Sequence, residues 1–532
     1  MHSGLTRRSV LMTGAAAVAF GNTVSDAGAQ QPKKGGTLQF AISAETPHYD
    51  NHGSDTYATL HFAAPFYSTL LRFNLDKFPE VQGDLADKWE VAPDLMTYTF
   101  KLHPGVKFHD GADLTSADVK ATYDRLRNPP QGVVSTRKAT FADIGTIDTP
   151  DPLTVIFKMK AVNASMLEHF ASPWNVIYSA KDLAADPNGP KTKINGTGPY
   201  IFVEHIKGGH VSGKRNDNYF KKGLPYLDGF KGVFTLQAAA MLNAIQGGQV
   251  LAEFRGISPA ERDRLVQAMG DKIRVEESSW TLNLLVCFNT EKKPFDDVRV
   301  RKALLMAIDR WGGSQGLSRI STLRSVGGVI RPGSPFATPE AELVKLPGFA
   351  KDIKASREEA KKLLKEAGHE NLKFVLWNRN LAMPYTPAGI FLVDQWRQIG
   401  VEVEHKQSDT GPYLATMNAG NHDVAIDFSN LFMDDSSLAL AKYLSVGRAP
   451  ENRSRHKDTE LDKIYDEHLR ERDVEKRKAL IRAFEKRTFD MGYQQPLLWW
   501  HRIVPSHKVV MGWKMSPSHN LGAQLEEVWL NA

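Results

Sequence analysis

One cysteine, Cys287, in 532 residues leaves no internal disulfide framework and no CxxC metal or redox pair. The chain also lacks an apolar run of the roughly 18 residues that signal a membrane-spanning helix; Val10 to Phe20 is too short. No HExxH, GxSxG, P-loop or post-strand GxGxxG pattern occurs, so the sequence gives no positive sign of catalysis or of a cofactor. Seventeen histidines include no helically spaced pair with a matching carboxylate, and His205 and His210 are set apart by a GlyGly loop. Charge of one sign is scarce: 67 basic against 61 acidic residues give +6. Basic clusters such as Lys476, Arg477 and Lys478 are interleaved with glutamates, which predicts solvated helix faces and no nucleic-acid surface. Glycine and proline are near average usage and no period repeats, which excludes collagen-like and solenoid architectures. At roughly 150 residues per domain, the 532-residue length suggests about three domains, enough chain to bury several separate cores.

What is present begins with an address. Thr6 to Leu11 read TRRSVL, a twin arginine at Arg7 and Arg8 before a short apolar stretch, and Ala27 and Ala29 place small residues at the cleavage positions before Gln30. Residues 1–29 are therefore expected to be a twin-arginine export signal, and no cysteine near the cut offers a lipid anchor. Its removal takes two bases and one acid, so the net charge passes from +6 to +5. The mature protein is expected to be periplasmic and free.

Local patterning is strongest from Trp89 to Leu126. Tyr98, Phe100 and Leu102 alternate with polar residues as a half-buried strand, and HisProGly and AspGly make turns. Thr115 and Asp118 form a capping box that opens a helix carrying Val119, Tyr123 and Leu126. Strands are also expected at 37–43, 153–159, 373–377 and 401–405, and around Cys287 as an inert buried thiol. Helices are expected after Asp297, from a capping box at Ser356 and Glu359, and over 390–398, 460–469 and 475–489. AsnGlyThrGlyProTyr (195–200) reads as a structural turn into Tyr200, because Pro199 removes a donor that a phosphate loop would use.

These motifs carry a resemblance. TyrSerThrLeuLeuArgPheAsn, GlyAspLeuAlaAspLysTrpGlu, ThrTyrThrPheLysLeuHisProGlyValLysPheHisAspGly, GlyThrGlyProTyr, ProPheAspAspValArgValArgLysAlaLeu, IleGlyValGluVal and ProLeuLeuTrpTrp are similar, in order, to landmarks of the extracellular solute-binding proteins of peptide and nickel type, family 5. The resemblance covers essentially the whole mature chain. It implies an α/β fold of the two-lobed periplasmic binding protein type (cluster C), with an extra domain inserted in the first lobe. Residues 31–65, 195–282 and 497–532 would build lobe I, 66–194 the inserted domain and 283–496 lobe II. It implies a monomeric, non-enzymatic receptor that captures a small organic solute and hands it to the permease subunits of an ABC importer, with no cofactor, metal or nucleic acid. An exported hydrolase and a periplasmic holdase are the rival readings.

The resemblance also implies a pocket from Glu45, Trp174, Trp280, Asn378 and Trp499 or Trp500, to which Trp377, Arg379 and Tyr385 are neighbours in sequence or chemistry. One departure stands out. Where peptide binders of the family have an aspartate for the peptide ammonium, this chain has Phe432, leaving Asp427, Asp434 or Asp435 as substitutes. The expected solute is therefore not a simple peptide but an aromatic, sugar-like or anionic compound.

Overall fold

Three larger sheets organise the chain in the computed structural model, which describes residues 31–449 and 451–531. The first runs in the order Thr37–Ile42, Gly229–Phe234, His210–Arg215, Tyr200–Ile206, with the first pair parallel and the rest antiparallel. Leu38, Phe40, Phe66, Tyr200 and Phe230 form its core. The second is antiparallel, in the order Ala86–Val91, Thr97–Leu102, Thr154–Met159, Ile144–Asp151. Here the alternation of 97–102 does what it predicts, since Tyr98, Phe100 and Leu102 are buried and Lys101 is exposed. The helix Ser116–Arg127 covers this sheet with Val119, Tyr123 and Leu126, and the Thr115 backbone N–H donates to the Asp118 carboxylate at 2.7 Å.

The third sheet has six strands in the order Leu323–Ser325, Gln494–His507, Ile273–Phe288, Val424–Asn430, Lys373–Arg379, Glu402–Ser408. Its two faces support separate cores. Leu284, Val286 and Trp500 point into one, and Leu285, Cys287 and Trp499 into the other. Burial pushes the Cys287 thiol far above its ordinary pKa, as the inert-thiol reading requires. The long strands Ile273–Phe288 and Gln494–His507 pair antiparallel over most of their length, but the register breaks between Ser279 and Asn283.

Two expectations need correction. No capping box forms at Ser356: the helix runs Ile353–Glu366 and Asp352 caps it, accepting from the Ala355 N–H at 3.0 Å. Ser356 lies one turn inside, where its hydroxyl donates to the Met306 carbonyl at 2.7 Å and ties this helix to the end of Val298–Met306. The helix expected from 390 begins at Tyr385, because Pro387 falls within the first turn, where a missing N–H costs nothing.

Candidate functional site

The break in the long ladder is where the aromatic residues gather. A bulge leaves residues unpaired and re-aims side chains, and Trp280 lies inside this one. Its indole N–H donates to His519 Nδ1 at 3.0 Å, and its ring meets Trp500 edge-on at 5.6 Å. Trp500 meets Tyr385 edge-on at 6.4 Å. Four sequence positions from 280 to 519 are thus joined through one set of rings, and the Trp500 indole N–H is buried without a hydrogen-bond partner.

Arg255 adds charge to this cluster, lying over Tyr57 at 4.4 Å and over Trp280 at 5.5 Å. The segment that carries it is pinned by Glu253, whose carboxylate accepts from the backbone N–H groups of Arg255 (3.1 Å) and Gly256 (2.6 Å). Gly256 adopts φ +149°, and a Cβ there would come within 3.2 Å of the Trp280 ring. Burial lifts the Glu253 carboxyl to about 7 despite these bonds. Burial likewise holds His61 down at about 4 and His519 well below the ordinary histidine value, with Arg255 and Arg502 adding to both, so both imidazoles are neutral at pH 7.

Tyr385 also meets Arg379, 9% exposed, whose guanidinium lies over Phe428 (4.6 Å), Tyr413 (5.2 Å) and Tyr385 (5.3 Å). Its nearest carboxylate is Asp427, at 3.9 Å. That carboxylate is already engaged by Lys442 at 2.8 Å and approached by Arg453 at 3.4 Å. Burial alone would raise the Asp427 pKa, but Lys442 and Arg453 hold it below the ordinary value. Burial also raises the Tyr385 hydroxyl, with Arg379 opposing, Asp427 adding and Arg255 opposing.

Of the remaining predicted residues, Asn378 and Trp377 border the cluster and the others make separate contacts. Glu45 accepts from Gly208 N–H at 3.1 Å and pairs with His205 Nε2 at 2.9 Å beside the first sheet. Trp174 is 2% exposed beneath the Arg137 guanidinium, 4.5 Å away. Trp377 packs near Tyr413 and Met417, with Lys406 over its ring at 4.4 Å. Asn378 is fully buried, donating to the Tyr385 carbonyl at 2.7 Å and meeting His405 Nε2 at 3.0 Å, so it positions Tyr385 from behind. Trp499 donates to the Gly328 carbonyl at 3.0 Å within the opposite core, which leaves Trp500 as the member of the pair in the cluster. The Phe432 ring packs against the core of the second sheet, and its carbonyl accepts from the Ser518 hydroxyl at 2.8 Å. Of the acidic substitutes, Asp434 is paired with Arg331 at 2.8 Å and Asp435 caps the helix Ser436–Ala441. Sequence reasoning missed Arg255, Lys442 and His519; a lone ArgGly between strands has no periodicity to mark it. Arg7, Arg8, Ala27 and Ala29 lie outside the described residues.

Comparison with known proteins places this geometry. The model of the bacterial extracellular solute-binding proteins, family 5 (middle region), matches residues 80–449. The glutathione-binding protein GsiB of Pectobacterium atrosepticum is 29% identical over 377 residues, covering 70% of each chain. Among solved structures, AgaA of A. tumefaciens R10, in complex with agropinic acid, superposes with TM-score 0.77 at 24% identity over 93% of this chain and 99% of its own. DppA of Helicobacter pylori, in complex with the peptide STSA, gives 0.78 at 22% over 94% and 99%. These two likenesses establish a shared periplasmic binding protein fold.

Proposed function

Because the chain belongs to the bacterial extracellular solute-binding proteins of family 5, we propose that it works as a periplasmic receptor that captures one small organic solute and delivers it to an ABC importer. Family membership carries the reading. The lobes are proposed at 31–65 with 195–282 and 497–532, and at 283–496, with 66–194 inserted. Trp280, Trp500 and Tyr385 supply rigid apolar area for the solute, and Arg255 and Arg379 supply its polar contacts. GsiB is named for glutathione, AgaA is bound to agropinic acid and DppA to a peptide, so relatives and proteins of this fold serve both peptide-like and other organic ligands. For this chain a solute other than a simple free peptide is favoured. A buried ammonium needs a carboxylate partner, and Asp427, Asp434 and Asp435 are each already engaged.

Native mass spectrometry of protein freshly isolated from the periplasm tests the receptor reading. One solute at one copy per chain, with a rise in melting temperature on its return to stripped protein, is the expected result. Turnover of the solute would favour a hydrolase instead, and preference for unfolded chains a holdase.

A further inference from the structure

The cluster around Tyr385 carries more positive charge than this chain neutralises. Around the single carboxylate of Asp427 stand three cationic side chains, Arg379, Lys442 and Arg453. Beside Arg255 stands Arg502, which is fully buried and spends its guanidinium on the carbonyls of Phe254, Arg255, Ser516 and Ser518. The nearby carboxyl, Glu253, turns both oxygens to backbone N–H groups, and no carboxylate among the described residues forms a salt bridge with Arg255. His61 and His519 remain neutral and add no charge.

Three of the cluster's cationic and indole N–H groups are left without a partner, and so is the Oδ2 of Asp427, which the cations of Lys442 and Arg453 already neutralise. Arg255 Nε, Arg379 Nε and Trp500 Nε1 are all shielded from solvent without a hydrogen-bond partner, and all three are donors. A buried donor left unmade costs about 1–3 kcal/mol, more for a charged group. A group that accepts only, and that carries negative charge, answers both the count of charges and the count of donors. Both guanidinium groups lie against aromatic rings, 5.5 Å from Trp280 for Arg255 and 4.6 Å from Phe428 for Arg379, a setting in which an arginine recognises a planar acceptor such as a carboxylate.

We propose that the solute is an organic carboxylate, gripped by Arg255 beside Trp280 and by Arg379 beside Tyr385, with its apolar body against Trp280 and Trp500. This rests on the receptor reading above and names the chemical class that the receptor takes. Arg255 lies in the proposed first lobe and Arg379 in the second, so a carboxylate held by both gains differential affinity for a closed arrangement.

The test uses the whole mature protein purified from the periplasm. Solute released by mild denaturation is passed over an anion exchanger at pH 7, and stripped protein is titrated by calorimetry with benzoate, glutarate, phthalate and citrate beside their primary amides. Expected are retention of the released solute and preference for carboxylates over amides. Arg255→Gln and Arg379→Gln are each expected to weaken binding roughly ten- to a hundredfold, Arg255→Lys to restore part of it, and Lys361→Gln, on an exposed helix face, to change nothing. Melting curves check that each variant folds; should Arg379→Gln fail, the Arg255 pair decides alone. A neutral or cationic solute, or full affinity in Arg255→Gln, overturns the proposal and leaves the receptor reading standing. No released solute together with no binding of any probe overturns both.

Discussion

Glu485 illustrates how one buried group ties stability to pH. It is 1% exposed, its Oε1 accepts from Val329 N–H at 2.5 Å, and its Oε2 is buried without a hydrogen-bond partner. Burial raises its pKa against the opposing pull of the nearby Thr338 hydroxyl, the Val329 N–H and Arg482, with Glu342 adding. A carboxyl whose folded pKa lies above its unfolded value near 4.3 binds more protons in the native state, so its contribution is present below that value and is lost as pH rises through the folded pKa. Every tenfold difference in proton affinity between the folded and unfolded chain is worth about 1.4 kcal/mol. Glu485→Gln keeps the shape and removes the titration. Its melting temperature relative to the natural protein should climb from pH 4.5 upward and level off above the folded pKa, and an equal offset at every pH between 4 and 9 would refute this. Nothing in the sequence marks Glu485, which sits in a charged helix, Val474–Asp490, read as solvated; its burial follows from the tertiary packing of that helix against the segment around Val329.

At the scale of elements, the AsnGlyThrGlyProTyr segment shows what sequence reading reaches and where it stops. The pattern rules out a phosphate loop, but its purpose is contact: the Gly198 N–H donates to the Phe66 carbonyl at 3.0 Å, and the chain runs against Phe66 and Tyr67. A Cβ on Gly198 would stand 2.4 Å from the Phe66 carbonyl carbon and the Tyr67 nitrogen, and backbone on both sides has no room to yield. Gly198→Ala should therefore cost about 1–3 kcal/mol or more by overpacking. In the helix Arg310–Ile320 a Cβ on Gly316 would meet nothing, and Gly316→Ala should gain roughly 0.5–1 kcal/mol. Chemical denaturation of both reads the opposite signs. Alternating strands and the Thr115 cap are legible because their signals are local, with period two or a spacing of three residues. At Ser356 two local signals compete, and Asp352 wins because Ser356 has a distant partner, the Met306 carbonyl. The candidate site is legible in part: Trp280, Tyr385 and Arg379 stand out as residue types, but that Trp500 and not Trp499 joins them depends on the register break. Arg255 reaches them only through the tertiary fold.

At the scale of the whole molecule, two expectations concern where the protein goes and how it moves. Arg7 and Arg8 are proposed to direct export through a receptor that reads arginine and not charge. Replacing both by lysine should leave precursor in the cytoplasm, and undiminished periplasmic protein in a cell fraction would point to the general secretory route.

Motion should centre on the broken ladder. Ile273–Phe288 and Gln494–His507 cross together from the first proposed lobe to the second; their pairing is continuous from Ile273 to Ser279 and again from Leu285 to Cys287, and the register shifts twice between, at Ser279/Asn283 and at Asn283/Leu285. The bulge interrupts the hydrogen bonds between them, so bending there breaks fewer contacts than bending elsewhere in the sheet. A solute touching Arg255 and Arg379 at once binds a closed arrangement more tightly than an open one, and only that difference in affinity can shift the population. Small-angle scattering should therefore give a larger radius of gyration for stripped protein than for protein reloaded with its released solute. Hydrogen exchange should slow on loading at residues 279–283 and 499–501 while the flanking ladder changes little. An unchanged radius at saturation, with stripping verified by native mass spectrometry, would mean that the crossing strands form a rigid splint and that recognition proceeds without closure.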